Sequence, residues 1–115
     1  MAFTESELKK WKPIVRTFID RSRPPEHLRS QLDLNYTVDD QSFIIFETRP
    51  HWQNPEEKIR NKVAKTTWVR SQRVWKIYWQ KRDQQWHRYE PLPEVDKLEA
   101  FIKEVDKDPN ACFLG

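Results

Sequence analysis

The residues best placed for chemistry follow a continuous apolar run at 43–46. Glu47 ends this run and Arg49 follows two positions later, so strand alternation places both side chains on one face. Two carboxylates can hold a divalent metal while a cation steadies an attacking water, and Asp33 or Asp40 could supply the second carboxylate, with Mg²⁺ as cofactor. Two features depart from the pattern of such metal sites. The cation is an arginine, which does not deprotonate, and the spacing between Asp40 and Glu47 is short. An exposed salt pair at a strand end is the alternative interpretation.

A second set of residues combines basic and aromatic side chains, mostly within 62–91, where four of the six tryptophans lie. Aromatic rings on an open sheet stack single-stranded bases while cations follow the phosphates. The sequence therefore predicts a non-enzymatic binding surface for an anionic partner, with nucleic acid as the leading hypothesis. The predicted binding residues are Arg49, Trp52, Lys65, Lys76, Tyr78, His87, Arg88 and Tyr89. A protein partner, a second copy of the chain, or tyrosines packed under Trp52 or a helix are the alternatives.

The charge distribution supports this hypothesis. The net charge is +3, but residues 49–88 carry 11 basic and 3 acidic side chains, whereas 1–48 sum to −1 and 89–115 to −4. A basic segment of this kind attracts polyanions. It is also typical of a solvated sheet rim whose lysines discourage edge pairing.

Other classes of protein are disfavoured. The only glycine is Gly115, which excludes glycine-rich phosphate loops, and no apolar run is long enough to span a membrane. His27, His51 and His87 lack metal-ligand spacing, and the single Cys112 excludes a disulfide framework. We therefore expect no resident metal or cofactor, no membrane partner and a cytoplasmic location.

These residues must be positioned by a single domain spanning residues 1–115. A capping box from Thr4 to Glu7 begins a helix with apolar residues at Leu8, Trp11, Val15 and Phe18. Pro13 is expected to kink or split that helix. Residues 94–106 form an amphipathic pattern that predicts a second helix.

Between the two helices, the sequence predicts five strands, of which four alternate apolar and polar residues and one contains the continuous apolar run 43–46. Two lie in 28–46 and three in 62–91, and 51–61 is expected to be a loop. Short connections predict an antiparallel meander, so the fold class is α+β, in the order α-β-β-β-β-β-α, with both helices on one face.

Two-residue turns at Ser71-Gln72 and near Asp83-Gln84 would set the faces of the tryptophan strands. Trp68 would then face Trp75, and Lys81 would face Trp86. The face holding Trp68, Trp75 and Trp79 would also carry Ala64, Thr66, Ile77, Trp86 and Arg88. The other face would carry Val63, Lys65, Thr67, Val69, Val74, Lys76, Tyr78, Gln80, His87 and Tyr89.

Several strings resemble a known family. They are Phe46-Glu47-Thr48-Arg49-Pro50-His51-Trp52, Val74-Trp75-Lys76-Ile77-Tyr78-Trp79, Trp86-His87-Arg88-Tyr89-Glu90-Pro91 and Asp108-Pro109 with Cys112-Phe113 and Gly115. Together they look like the domain-of-unknown-function family numbered three thousand and twenty-four, over nearly the whole chain. The resemblance implies a stand-alone bacterial protein and transfers no activity. The Glu47 and Arg49 pattern is separately similar to the core of restriction-endonuclease-like nucleases.

Overall fold

The computed structural model describes residues 2–114. The helices are α1 (Glu5–Ser22) and α2 (Leu98–Lys107), and a short 3₁₀ turn spans Glu26–Leu28. The strands are β1 (Asp33–Asp39), β2 (Ser42–Pro50), β3 (Lys58–Val69), β4 (Val74–Gln80), β5 (Trp86–Arg88) and β6 (Glu94–Val95). Strands β1 to β5 form an antiparallel meander in chain order, and β6 also pairs with β4. The predicted α+β fold is confirmed.

Helix α1 begins with the capping box that the sequence predicts. The Glu7 amide donates to Thr4 Oγ1 over 3.1 Å, and the Thr4 amide donates to Glu7 Oε1 over 2.8 Å. The helix continues through Pro13 as one element, so Pro13 does not split it. Thr17 Oγ1 donates to the Pro13 carbonyl over 2.8 Å.

Both helices pack on the same face of the sheet. Trp11 of α1 lies against Trp75, with ring centroids 4.7 Å apart, and Trp68 faces Trp75 at 5.1 Å as the sequence predicts. Phe101 of α2 is fully buried in the same hydrophobic core. One face of the sheet is therefore covered by helices, and the other has no element packed on it within residues 2–114.

A β-bulge divides β3. Ile45 pairs with Ala64 but Phe46 pairs with Lys62, so Val63 is an extra residue with no partner of its own. Val63 is only 7% exposed and belongs to the core under the helices. Simple alternation placed Val63 beside Lys65 on the other face. That prediction is wrong because the bulge adds one residue to the strand.

The β4–β5 connection is also longer than predicted. Gln80, not Lys81, pairs with Trp86, so the loop is 81–85. Asp83 Oδ1 accepts from the Gln85 amide over 2.9 Å, and Gln84 has φ of 62°. Asp side chains stabilise such turns.

This single-residue shift reverses every side chain of β5. Trp86 and Arg88 lie on the face without helices, whereas His87 and Tyr89 lie on the helix-covered face. The predicted faces of these four residues are therefore wrong.

Two element boundaries differ from prediction. Residues 58–61 of the expected loop 51–61 belong to β3, which begins at Lys58. The predicted helix 94–106 begins only at Leu98, because Glu94 and Val95 pair with β4. The Pro93 carbonyl accepts from the Ile77 amide over 3.0 Å, which draws this segment to the sheet edge.

The C-terminal segment returns to the core. The Phe113 ring packs on Tyr89 with centroids 4.7 Å apart, while Gly115 lies outside the described residues. No helix within residues 2–114 is long and apolar enough to cross a membrane.

Candidate functional site

The helix-free face of the sheet, here called the open face, is built from cross-strand rows. One row runs Ile44, Lys65, Tyr78 and Arg88 across β2 to β5. Phe46 pairs with Lys62, and Gln80 pairs with Trp86, on the same side. The cations and aromatic rings of the open face are Phe46, Arg60, Lys62, Lys65, Lys76, Tyr78, Trp86 and Arg88.

Aromatic rings position two of these cations. Lys65 Nζ lies 5.5 Å from the ring centroid of Tyr78 and 5.5 Å from that of Trp86. Arg60 Cζ lies 4.5 Å from the Phe46 centroid, which helps to explain why Phe46 is only 5% exposed without a helix above it. Cation–π contacts hold the positive groups in place without neutralising their charge.

Carboxylates do not neutralise the open face. Within residues 2–114, none of its five cations (Arg60, Lys62, Lys65, Lys76 and Arg88) forms an ion pair with another described residue. Lys76 and Arg88 also line a small cavity of about 120 Å³ at the sheet edge, together with Glu94. Glu94 lies directly opposite Lys76 across β4 and β6 and offsets part of this charge, but the five cations give the open face an excess of positive charge.

Four of the eight predicted binding residues are not on this surface. Arg49 lies on the opposite side of β2, where it forms an ion pair with Glu47, and Trp52 lies in the β2–β3 loop. His87 lies opposite Trp79 on the helix-covered face, and its Nε2 is 2.8 Å from Asp83 Oδ2. Tyr89 is fully buried, where its hydroxyl donates to Glu104 Oε2 over 2.7 Å and accepts from Asn110 Nδ2 over 3.0 Å. Burial is the main cause that raises the pKa of Tyr89 to about 12.

The acids of the nuclease hypothesis are not brought together. Glu47 Oε2 accepts from Arg49 Nη2 over 2.9 Å. Glu47 pairs with Leu34, so the adjacent Asp33 belongs to the opposite sheet face. Asp40 lies in the β1–β2 turn. Ser42, at the same end of this hairpin, is five residues from Glu47 along β2, a distance of about 17 Å.

Asp33 is also held by another cation. Arg23 Nε and Nη2 donate to its two oxygens over 2.8 and 2.7 Å, and this pairing lowers the pKa of Asp33. Within residues 2–114, no group of three or more His, Cys, Asp or Glu side chains is arranged to hold a metal ion. Cys112 is half-buried, and burial raises the pKa of its thiol.

Trp52 lies apart from the open face, in the β2–β3 loop 51–57, and is 81% exposed. The His51 ring lies nearly parallel to it, at 16° and 6.2 Å between centroids. Trp52 is thus available for contact, but in the β2–β3 loop and not among the strands of the open face.

The sheet edges offer little to an incoming strand. At the β1 edge, the Leu34 and Tyr36 amides donate to the side chains of Asp33 and Asn35 over 2.8 and 2.9 Å. At the other edge, β5 and β6 have only three and two residues. Short or internally satisfied edges resist strand addition, so these two edges are disfavoured, whereas residues 58–63 of β3 have β2 as their one partner strand among the described strands.

The sequence interpretation omitted four residues of the open face: Phe46, Arg60, Lys62 and Trp86. Asp83 was a signal for the longer loop that moves Trp86, because an Asp side chain can cap its own turn. No residue type in the sequence indicates the bulge that places Lys62 and Lys65 on the same face.

These features define an α+β domain with one helix-covered sheet face and one open, basic and aromatic face. The chain belongs to the family described as Domain of unknown function (DUF3024), whose model matches residues 3–115. The resemblance seen in the sequence is therefore confirmed. No curated protein and no solved structure gave a significant match.

Proposed function

We propose that the protein binds nucleic acid through the open face, without catalysing a reaction. The observation that carries this proposal is the row Lys65, Tyr78 and Arg88. Two cations that form no ion pair among residues 2–114 flank a half-buried aromatic ring, with Trp86 beside it. Aromatic rings accept bases of any sequence, and cations neutralise phosphates. The residues of the open face supply both groups on one surface.

The five cations of the open face set the expected salt dependence. Each neutralised phosphate of a single strand contributes a slope of about −0.7 to the logarithm of affinity against the logarithm of salt concentration. Five contacts would give a slope of about −3.5, which is a loss of about 100-fold between ~50 and ~200 mM salt.

The test measures binding of labelled oligonucleotides by fluorescence anisotropy across that salt range. The double variant Lys65→Glu/Arg88→Glu should lose at least about tenfold in affinity, and its salt slope should weaken by about 1.4, because two phosphate contacts are removed.

Lys12→Glu/Lys103→Glu is the matched control, because it reverses two exposed charges on the helices and changes the net charge equally. The control should retain the wild-type slope. Absence of salt-sensitive binding by the wild type, or equal losses in both double variants, would refute the proposal.

A further inference from the structure

The β2–β3 hairpin extends beyond its neighbouring strands as a two-stranded arm. Strand β4 pairs with β3 only from Ala64 onward, and β1 pairs with β2 only as far as Thr48. Pro50 and Lys58 form the last pair before the connecting loop 51–57. The arm therefore projects the loop, with Trp52, away from the rest of the sheet.

The loop that carries Trp52 is held by specific hydrogen bonds. The His51 amide donates to the Glu57 carbonyl over 2.8 Å, and the Glu57 amide donates to the Asn54 carbonyl over 2.9 Å. The Gln53 and Asn54 amides both lie within hydrogen-bond distance of His51 Nδ1, at 3.1 and 3.3 Å. A large exposed indole on an ordered loop is positioned for contact in advance, which reduces the entropy cost of binding.

The arm continues the positive surface of the open face. Arg60 and Lys62 follow Lys65 along β3 towards the tip, and both are exposed and free of ion pairs within residues 2–114. Lys58 lies seven positions before Lys65, a span of roughly 20 Å along the strand. A polyanion bound at Lys65 can therefore follow a line of cations to the tip.

The charge at the tip itself is different. Glu56 and Glu57 lie in the same loop as Trp52 and repel phosphate groups. The group expected at Trp52 is therefore an uncharged aromatic base and not the phosphate backbone. Only an unpaired strand can present the face of a base to an exposed indole, since the bases of a duplex are stacked on one another.

We infer that the arm is a second contact site for single-stranded nucleic acid, in which a base stacks on Trp52 while the phosphates pass along Arg60 and Lys62. This inference rests on the proposed function of the open face and assigns it a substrate class. It places the strand along β3, from the open face to the tip of the arm.

The test compares anisotropy titrations of wild type, Trp52→Ala and Trp52→Phe with a single strand of about 16 nucleotides. Stacking of one base on an aromatic side chain contributes about 5- to 150-fold in affinity, and Trp52→Ala should lose a factor in that range. Trp52→Phe should retain most of the affinity. The salt slope of Trp52→Ala should stay at the wild-type value, because no phosphate contact is removed.

Three controls sharpen the result. Leu28→Ala removes another exposed apolar side chain, 45% exposed and outside the arm, and should bind like wild type. Trp52→Ala should also match wild type on a duplex of the same sequence. Trp52→Ala and wild type should also have equal affinity for a strand of about four nucleotides, which occupies the open face without reaching the tip.

Equal binding of the long single strand by wild type and Trp52→Ala would overturn the inference while leaving the proposed function intact. Equal losses on single strand and duplex would overturn it too. The proposed function has its own readout: it is refuted if the wild type shows no salt-sensitive binding.

Discussion

Lys62 and Lys65, three positions apart in β3, lie on the same face of the sheet. Their partners across β2 are Phe46 and Ile44, which are two positions apart. An odd spacing in a regular strand puts side chains on opposite faces. The extra residue Val63 brings Lys62 back to the face of Lys65. The bulge thereby buries Val63 and adds Lys62 to the cations of the open face.

The buried position of Val63 predicts the result of truncating it. Val63→Ala should lower the free energy of unfolding by about 1–3 kcal/mol, because it removes buried methyl groups and leaves a small cavity. Lys62→Ala, at the adjacent exposed position, should change it by no more than about 0.5 kcal/mol. Urea unfolding followed by circular dichroism measures both values. Equal effects would show that β3 lacks the bulge.

Local signals account for the part of the fold that the sequence predicts. The Thr4 to Glu7 capping box, the amphipathic helices and the alternation through Trp68 and Trp75 each act over a few residues, so the element order and the meander follow from them. The pairing of Trp68 with Trp75 is correct because the first turn is short.

The remaining features depend on contacts that are distant in sequence. The bulge at Val63 depends on packing against β2 and the helices. Strand β6 forms because the Pro93 carbonyl accepts a hydrogen bond from the Ile77 amide. The 81–85 loop shifts the register by one residue, which moved Trp86 onto the open face and His87 and Tyr89 off it. Of the eight predicted binding residues, Lys65, Lys76 and Tyr78 lie on the predicted face, and Arg88 reaches the open face only through this register shift.

The ion pair between Glu7 and Arg70 joins the start of α1 to the β3–β4 turn, with 2.6 Å between Glu7 Oε1 and Arg70 Nη2. The hydrogen bonds from Arg70 are the main cause that lowers the pKa of Glu7 to about 2, from an ordinary value of 4.5. A lowered carboxyl pKa stabilises the folded state above pH 4.5, and this stabilisation is lost as the pH falls towards 2.

Glu7→Gln should therefore reduce the free energy of unfolding at pH 7 by about 1 kcal/mol, through loss of the ion pair and weakening of the capping box. The difference from wild type should shrink as the pH falls from 4.5 to 2. Urea unfolding at a series of pH values measures it, with Glu5→Gln in the same helical turn as control. A difference that does not depend on pH would contradict this account.

The buried hydroxyl of Tyr89 predicts an alkaline transition. Because burial and the hydrogen bond to Glu104 raise its pKa to about 12, the folded state keeps the phenol protonated where the unfolded state, with a pKa near 10, loses the proton. Stability should therefore decline as the pH rises from 10 to 12. Absorbance at roughly 295 nm should show one tyrosine ionising near pH 12.

Tyr89→Phe should abolish that late transition and lower the free energy of unfolding at pH 7 by about 1 kcal/mol, since Glu104 and Asn110 lose a partner. Tyr78→Phe, on the open face, is the control and should leave the late transition in place. If the late transition persisted in Tyr89→Phe, it would belong to another tyrosine.

The separation of Glu47, Asp33 and Asp40 predicts that magnesium has no catalytic role. Arg49 holds Glu47, Arg23 holds Asp33 on the opposite sheet face, and Asp40 is at the far end of the β1–β2 hairpin. Two-carboxylate metal chemistry needs both acids at one point. Single-stranded oligonucleotides incubated with the protein and Mg²⁺ should therefore remain intact on a gel, and at fixed ionic strength a chelator should not change their affinity. Magnesium-dependent cleavage that is lost in a folded Glu47→Ala variant, but retained in Glu57→Ala, would reverse this conclusion and identify Glu47 as a metal ligand.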